Sequence, residues 1–145
     1  MLRLERIHLL SRPDMLKPLR KFVSEFAKKM NCCDESLDCL VMAINEACMN
    51  IMQHAYNERL DEDIIIEFWK DSGEIVIKII DFADAVDIES IKSRDLEDIR
   101  PGGLGVHLIK QTMDCVEYKH SSNDKGNVIE MRKKLEKTTV CPTIN

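Results

Sequence analysis

The chain has 145 residues, 44% hydrophobic and 32% charged, with a net charge of -5. That is the size and apolar content of one globular domain with a substantial core. An acidic balance without any run of Lys or Arg argues against nucleic acid or an anionic membrane as the main partner, since both would be repelled at long range.

In chain order, Leu2, Leu4 and Leu9 alternate loosely with charges, so Met1 to Leu10 is expected to be a strand ending before Ser11-Arg12-Pro13-Asp14. The N-terminus shows no signal-peptide core, and no stretch reaches the roughly 18 apolar residues of a bilayer span. The cytoplasm is the expected location. From Asp14 to Met30 the set Leu16, Leu19, Phe22, Val23, Phe26 and Met30 follows helical spacing, with Pro18 in the tolerant first turn. After a turn at Asn31-Cys32-Cys33, Asp34 is expected to cap a second helix running to about Tyr56, with Leu37, Leu40, Val41, Ile44, Cys48, Ile51 and Ala55 as its core stripe. The six cysteines form no C-x-x-C pair and have no histidine at zinc-site spacing, so reduced, mostly buried thiols are expected.

Asp63 to Lys70 and Glu74 to Phe82 are β-branched and aromatic runs around Asp71-Ser72-Gly73, which predicts a hairpin with a three-residue turn. Ile75, Ile77 and Ile79 share one side of the second strand, so one sheet face must be well buried. That strand delivers Asp81 at its end. Residues 83 to 101 are charged and weakly periodic, which suggests a lid-like loop. Gly102-Gly103-Leu104-Gly105 then opens a helical pattern through Leu108-Ile109 and Thr112-Met113. Glycines before a helix let backbone N–H groups approach an anion, although the same run also serves as an ordinary helix-entry turn. A second hairpin is expected from Cys115 to His120 and Asn127 to Leu135. The domain is expected to span residues 1–137, with a tail at 138–145. The order of elements predicts α+β architecture: a two-layer sandwich of a mainly antiparallel mixed sheet covered on one face by helices.

Glu46, Asn50 and His54 carry the chemistry. At about 100° per residue a step of four drifts only ~40°, so the three side chains stack along one helix face. A carboxylate, a carboxamide and an imidazole in a row suit a base, a metal or phosphate ligand and a donor at one polar ligand; the bland alternative is a solvated face. His8, His107 and His120 show no ligand spacing.

Taken together, Glu46-x-x-x-Asn50-x-x-x-His54-Ala55-Tyr56, Asp81 and Gly102-Gly103-Leu104-Gly105 resemble the N, G1 and G2 boxes of the Bergerat-fold, histidine-kinase-like ATPases. The short single domain and its endings, Met113-Asp114-Cys115-Val116-Glu117-Tyr118 and Gly126-Asn127-Val128-Ile129-Glu130-Met131, resemble bacterial anti-sigma-factor serine/threonine kinases. The resemblance implies ATP and Mg²⁺ as cofactors. It makes Glu46 the general base toward a Ser or Thr hydroxyl and Asn50 the Mg²⁺ ligand. It makes Asp81 the acceptor for the adenine amino group, with Ala85 in the same box. Gly103 and Gly105, with the backbone at Leu104 and Val106, would cradle the phosphates, with His54 near enough to contribute a donor; Arg100 is a candidate phosphate contact by its position and charge alone.

The implied partners are a sigma factor and a STAS-domain anti-anti-sigma protein, in a homodimeric partner-switching kinase without direct nucleic-acid contact. This chain departs from the family at Asp81-Phe82-Ala83-Asp84-Ala85, where such kinases have Asp-x-Gly-x-Gly. If either position needs φ > 0, alanine costs on the order of 1 kcal/mol or more. The alternative is therefore a non-catalytic partner-binding module of the same fold. A detached histidine-kinase-type ATP-binding domain is disfavoured, since the sequence shows no separate helical dimerisation segment bearing a phosphoacceptor histidine, unless another polypeptide supplies one.

Overall fold

The computed structural model describes residues 1–84, 109–110, 112–120 and 125–135. Strand β1, Leu2–Leu10, ends at the buried Ser11. The Ser11 Oγ donates to the Arg59 carbonyl (2.8 Å) and accepts from the Glu62 N–H (2.9 Å), which fixes the strand end against the segment entering β2. A 3-10 turn, Pro13–Met15, leads into α1, Leu16–Lys29. Leu19, Val23, Phe26 and Ala27 are buried at helical spacing, and Phe26 packs its ring 4.6 Å from that of Phe68. The helix closes on Asn31, whose φ of 59° is the left-handed cap geometry that Asn tolerates.

Helix α2 covers Asp34–Asn50. Its flanking residue is Cys33, with an extended backbone and no side-chain cap bond, so the expected cap at Asp34 shifts by one. Asp34 and Glu35 instead lie in the first turn, where carboxylates favour the helix dipole. Leu37, Leu40, Ile44, Cys48 and Ile51 are buried as expected, whereas Val41 and Ala55 are half-buried and Ala43, Ala47 and Met52 complete the core face. The helical run reaches Ala55, but its last turn, Ile51–Ala55, is a π turn. The Tyr56 N–H donates to the carbonyl of Ile51, five residues back, at 2.9 Å. The chain then leaves through Asn57 and Glu58, with φ of 49° and 64°.

Strands β2 (Asp63–Asp71), β3 (Glu74–Asp84), β4 (Cys115–His120) and β5 (Lys125–Lys134) join β1 in one sheet of order β1-β2-β3-β5-β4. Each pairing among the described residues is antiparallel. Asp71 pairs with Glu74, so the first hairpin turns on two residues instead of the expected three. Ser72 and Gly73, at φ of 48° and 83°, supply the two left-handed positions that such a turn needs. Ile64, Ile66 and Phe68 of β2, Ile75, Ile77 and Ile79 of β3, and Ile129 and Met131 of β5 form the buried face against α1 and α2. On the other face the Lys78 Nζ lies 5.0 Å from the centroid of the Trp69 ring, and Arg132 pairs with Asp71, Glu74 and Glu130. The fold is the expected α+β sandwich. The expected lid beyond Asp84, the Gly102–Gly105 turn and the tail at 138–145 lie outside the described residues. Among the described residues no helix is long and apolar enough to cross a membrane.

Candidate functional site

Asp81 lies on the helix-covered face of β3, in register with Ile75, Ile77 and Ile79, and is 3% exposed. The strand continues to Asp84, two residues past the expected Phe82, so Asp81 stands at a bulge inside it instead of at its end. Asp81 pairs with Asn127 and Asp84 with Lys125, which leaves one extra residue on β3. The Asp81 Oδ1 accepts from the Asn127 Nδ2 (2.9 Å) and from the Ala83 N–H (3.0 Å). Burial holds the Asp81 carboxyl above the usual carboxylate range, while the Asn127 and Ala83 bonds pull it back. A buried acceptor at the end of a core stripe, oriented by two donors, is suited to a ligand N–H.

Ala83 occupies an extended strand position, and its methyl is part of the core at 5% exposure. It is not among the residues with positive φ. The backbone strain considered for an alanine here is therefore absent at position 83.

Glu46 and Asn50 occupy successive turns of α2, both half-buried. Neither side chain has a hydrogen bond or ion pair within the described residues, although the neighbouring Asn45 accepts from the Arg20 guanidinium at 2.9 Å. Half-buried polar groups with no bond among the described residues are suited to a ligand. His54 is exposed within the π turn. A π turn holds more than four residues, so in ideal geometry the step from Asn50 to His54 falls a little short of a full turn, where an α-helix overshoots it. Ala85, Arg100, Gly103, Leu104, Gly105 and Val106 lie outside the described residues. Among the described residues no three His, Cys, Asp or Glu side chains gather as a metal site. Magnesium commonly keeps water and phosphate oxygens as ligands beside one or two protein oxygens, which a carboxamide such as that of Asn50 can supply.

The helix and the strand meet through Tyr56, which is 1% exposed. Its hydroxyl donates to the Asp63 carbonyl (2.6 Å) and accepts from the Phe82 N–H (2.8 Å). Neither Tyr56 nor Asn127 stands out by spacing in the sequence. For Asn127 a signal existed: it occupies a core-facing register position of β5, two residues before Ile129. A separate cavity of about 300 Å³, lined by Ser11, Leu16, Met49, Met52, Gln53 and Leu60 among others, opens beside α2 without touching Glu46, Asn50 or Asp81.

Residues 9–133 match the family described as histidine kinase-like ATPase domain. A serine-protein kinase RsbW of Oceanobacillus iheyensis is 31% identical over 138 residues, covering 90% of this chain and 85% of that protein. One of Halalkalibacterium halodurans is 29% identical over 130 residues, covering 84% and 77%. A crystal structure of the RsbU and RsbW domains of Rv1364c from Mycobacterium tuberculosis shares the fold, with a TM-score of 0.65 at 13% identity over 91% of this chain and 33% of that one. The site's polar helix face and buried strand carboxylate thus lie within a matched region spanning most of the molecule, and the chain belongs to the histidine kinase-like ATPase domain family, alongside the RsbW serine-protein kinases.

Proposed function

We propose that this protein is an anti-sigma factor and ATP-dependent protein serine/threonine kinase that phosphorylates a STAS-type anti-anti-sigma protein in a partner-switching circuit. One observation carries the reading. Glu46 and Asn50, half-buried and without side-chain partners among the described residues, lie on a helix whose end is hydrogen-bonded through Tyr56 to the strand bearing the buried Asp81. In this reading the two elements held together carry groups suited to the phosphate end and the base end of one nucleotide. The serine-protein kinase relatives support the same chemistry.

In this reading Asp81 accepts a hydrogen bond from the adenine amino group, with Asn127 and the Ala83 N–H fixing its carboxylate. Asn50 offers its amide oxygen to Mg²⁺, which when bound offsets charge on the phosphate oxygens. Glu46 takes the proton of the attacking Ser or Thr hydroxyl. Gly103, Leu104, Gly105 and Val106, with Arg100, Ala85 and His54, complete the nucleotide contacts. We place the protein in the cytoplasm as a homodimer that also binds a sigma factor, over a domain of residues 1–137. The non-catalytic alternative rests on Ala83 and Ala85; left-handed strain does not apply at Ala83, whereas the bulk of its methyl beside the base and Ala85 still support it.

The test incubates the purified chain with Mg-ATP and its cognate STAS protein. Phosphate transfer that is lost in Glu46→Gln while ATP binding persists is expected. No transfer by the parent overturns the kinase reading and favours the partner-binding module.

A further inference from the structure

The register of β2 against β3 runs from Asp71 opposite Glu74 to Ile64 opposite Asp81. One further step would pair Asp63 with Phe82. In its place the Tyr56 hydroxyl stands between those two residues, donating to the Asp63 carbonyl at 2.6 Å and accepting from the Phe82 N–H at 2.8 Å. Because the proton goes to the carbonyl, a lone pair must face the amide, so the two bonds fix each other's direction. The phenol is a wedge that parts β3 from β2 immediately after Asp81. On its other side β3 parts from the β5 register at the same point, between Asp81 and Asp84. The Phe82 and Ala83 amides are thus held by side chains, Tyr56 and Asp81. The π turn belongs to the same device, since Tyr56 follows it directly and its own N–H closes it on Ile51.

We propose that Tyr56 is a positioning residue for base selection: by holding the Phe82 amide it sets the bulge that aims Asp81, and so sets the preference for adenine over guanine nucleotides. This rests on the nucleotide reading above. A carboxylate in register accepts from the 6-amino group of adenine and repels the 6-carbonyl oxygen of guanine. Loosening the bulge weakens the attraction and relieves the repulsion together. A purely structural role for the phenol would lower both affinities by the same factor.

The experiment compares the full chain with Tyr56→Phe, which keeps the buried ring. Binding of Mg-ATP and Mg-GTP is measured by calorimetry, and amide exchange is followed residue by residue. ATP affinity should fall about tenfold, the scale of one hydrogen bond, with GTP affinity held or raised. The Phe82 and Ala83 amides should exchange faster while those of Ile75 to Ile79 do not change. An ATP/GTP ratio unchanged in Tyr56→Phe overturns the role of Tyr56 while leaving the nucleotide reading intact. A parent that binds neither nucleotide overturns both. If the variant does not fold, the parent's Phe82 amide decides: strong protection supports the wedge, and fast exchange overturns it.

Discussion

Restoring the family's glycine at position 83 should harm this protein, although a comparison of motifs alone suggests a repair. The Ala83 methyl is buried in the core, on an extended strand without positive φ. Ala83→Gly removes one buried carbon, about 0.8 kcal/mol, and adds glycine's freedom in a strand, roughly 0.5–1 kcal/mol. The sum is about 1.5 kcal/mol, or a fall in Tm of about 3–6 °C for a domain of this size. Thermal unfolding of the parent and Ala83→Gly measures it, with ATP calorimetry on both. A variant as stable as the parent that binds ATP at least tenfold tighter would refute the reasoning, because it would mean that alanine forces the wrong backbone at this bulge.

Other perturbations separate stability from function. Asp81→Asn keeps an Oδ1 that accepts from Ala83 and Asn127 while removing a charge whose burial raises the carboxyl pKa. Its Tm at neutral pH should equal or exceed the parent's while ATP binding is lost. The sign follows from the raised pKa: the parent lacks this cost while the carboxyl is protonated and incurs it as pH rises through the folded value, so the gap should close in acid. A variant markedly less stable at neutral pH would contradict this. Asn127→Ala removes the donor to Asp81 and should cost about 1.5–3 kcal/mol in denaturant unfolding, the range for a bond to a charged group; a change below half a kilocalorie, on the order of measurement scatter, would count against the pairing.

Burial pushes the Cys48 thiol from 9.0 to about 12 and the Tyr56 phenol from 10.0 to about 12. The unfolded chain releases these protons first, so their contribution is complete below pH 9 and lost as pH rises toward 12. Unfolding free energy measured against pH should fall over that window, and Cys48→Ala should flatten its lower part. An equal slope in the variant would exclude the thiol.

Much of the fold was legible because local pattern and burial agree. Ile75, Ile77 and Ile79 alternate as a strand facing a core must, and that same register marks Asp81 as a charge in a core position. The two-residue turn was less legible, since Asp71, Ser72 and Gly73 are all turn formers and the pairing of Asp71 with Glu74 decides between them. The π turn could not be read from pattern: helical periodicity runs through to Tyr56, and the turn adjoins a residue whose hydroxyl is bonded to two strands. The shift from Asp34 to Cys33 at the head of α2 is a one-residue difference of the kind that residue preference does not resolve. For the candidate site, the row on α2 follows from spacing, whereas Asn127 and Tyr56 are tied to Asp81 and Phe82 by bonds spanning 46 and 26 residues of sequence.

The most direct test of the account is calorimetry of Mg-ATP and Mg-ADP with the purified protein, using Asn50→Ala and Asp81→Asn as paired controls. Micromolar-range binding, on the order of 8 kcal/mol, that is lost in both variants is the predicted result. Absence of binding in the parent, or binding unchanged in both variants, would contradict the assignment of this helix face and this buried carboxylate to a nucleotide.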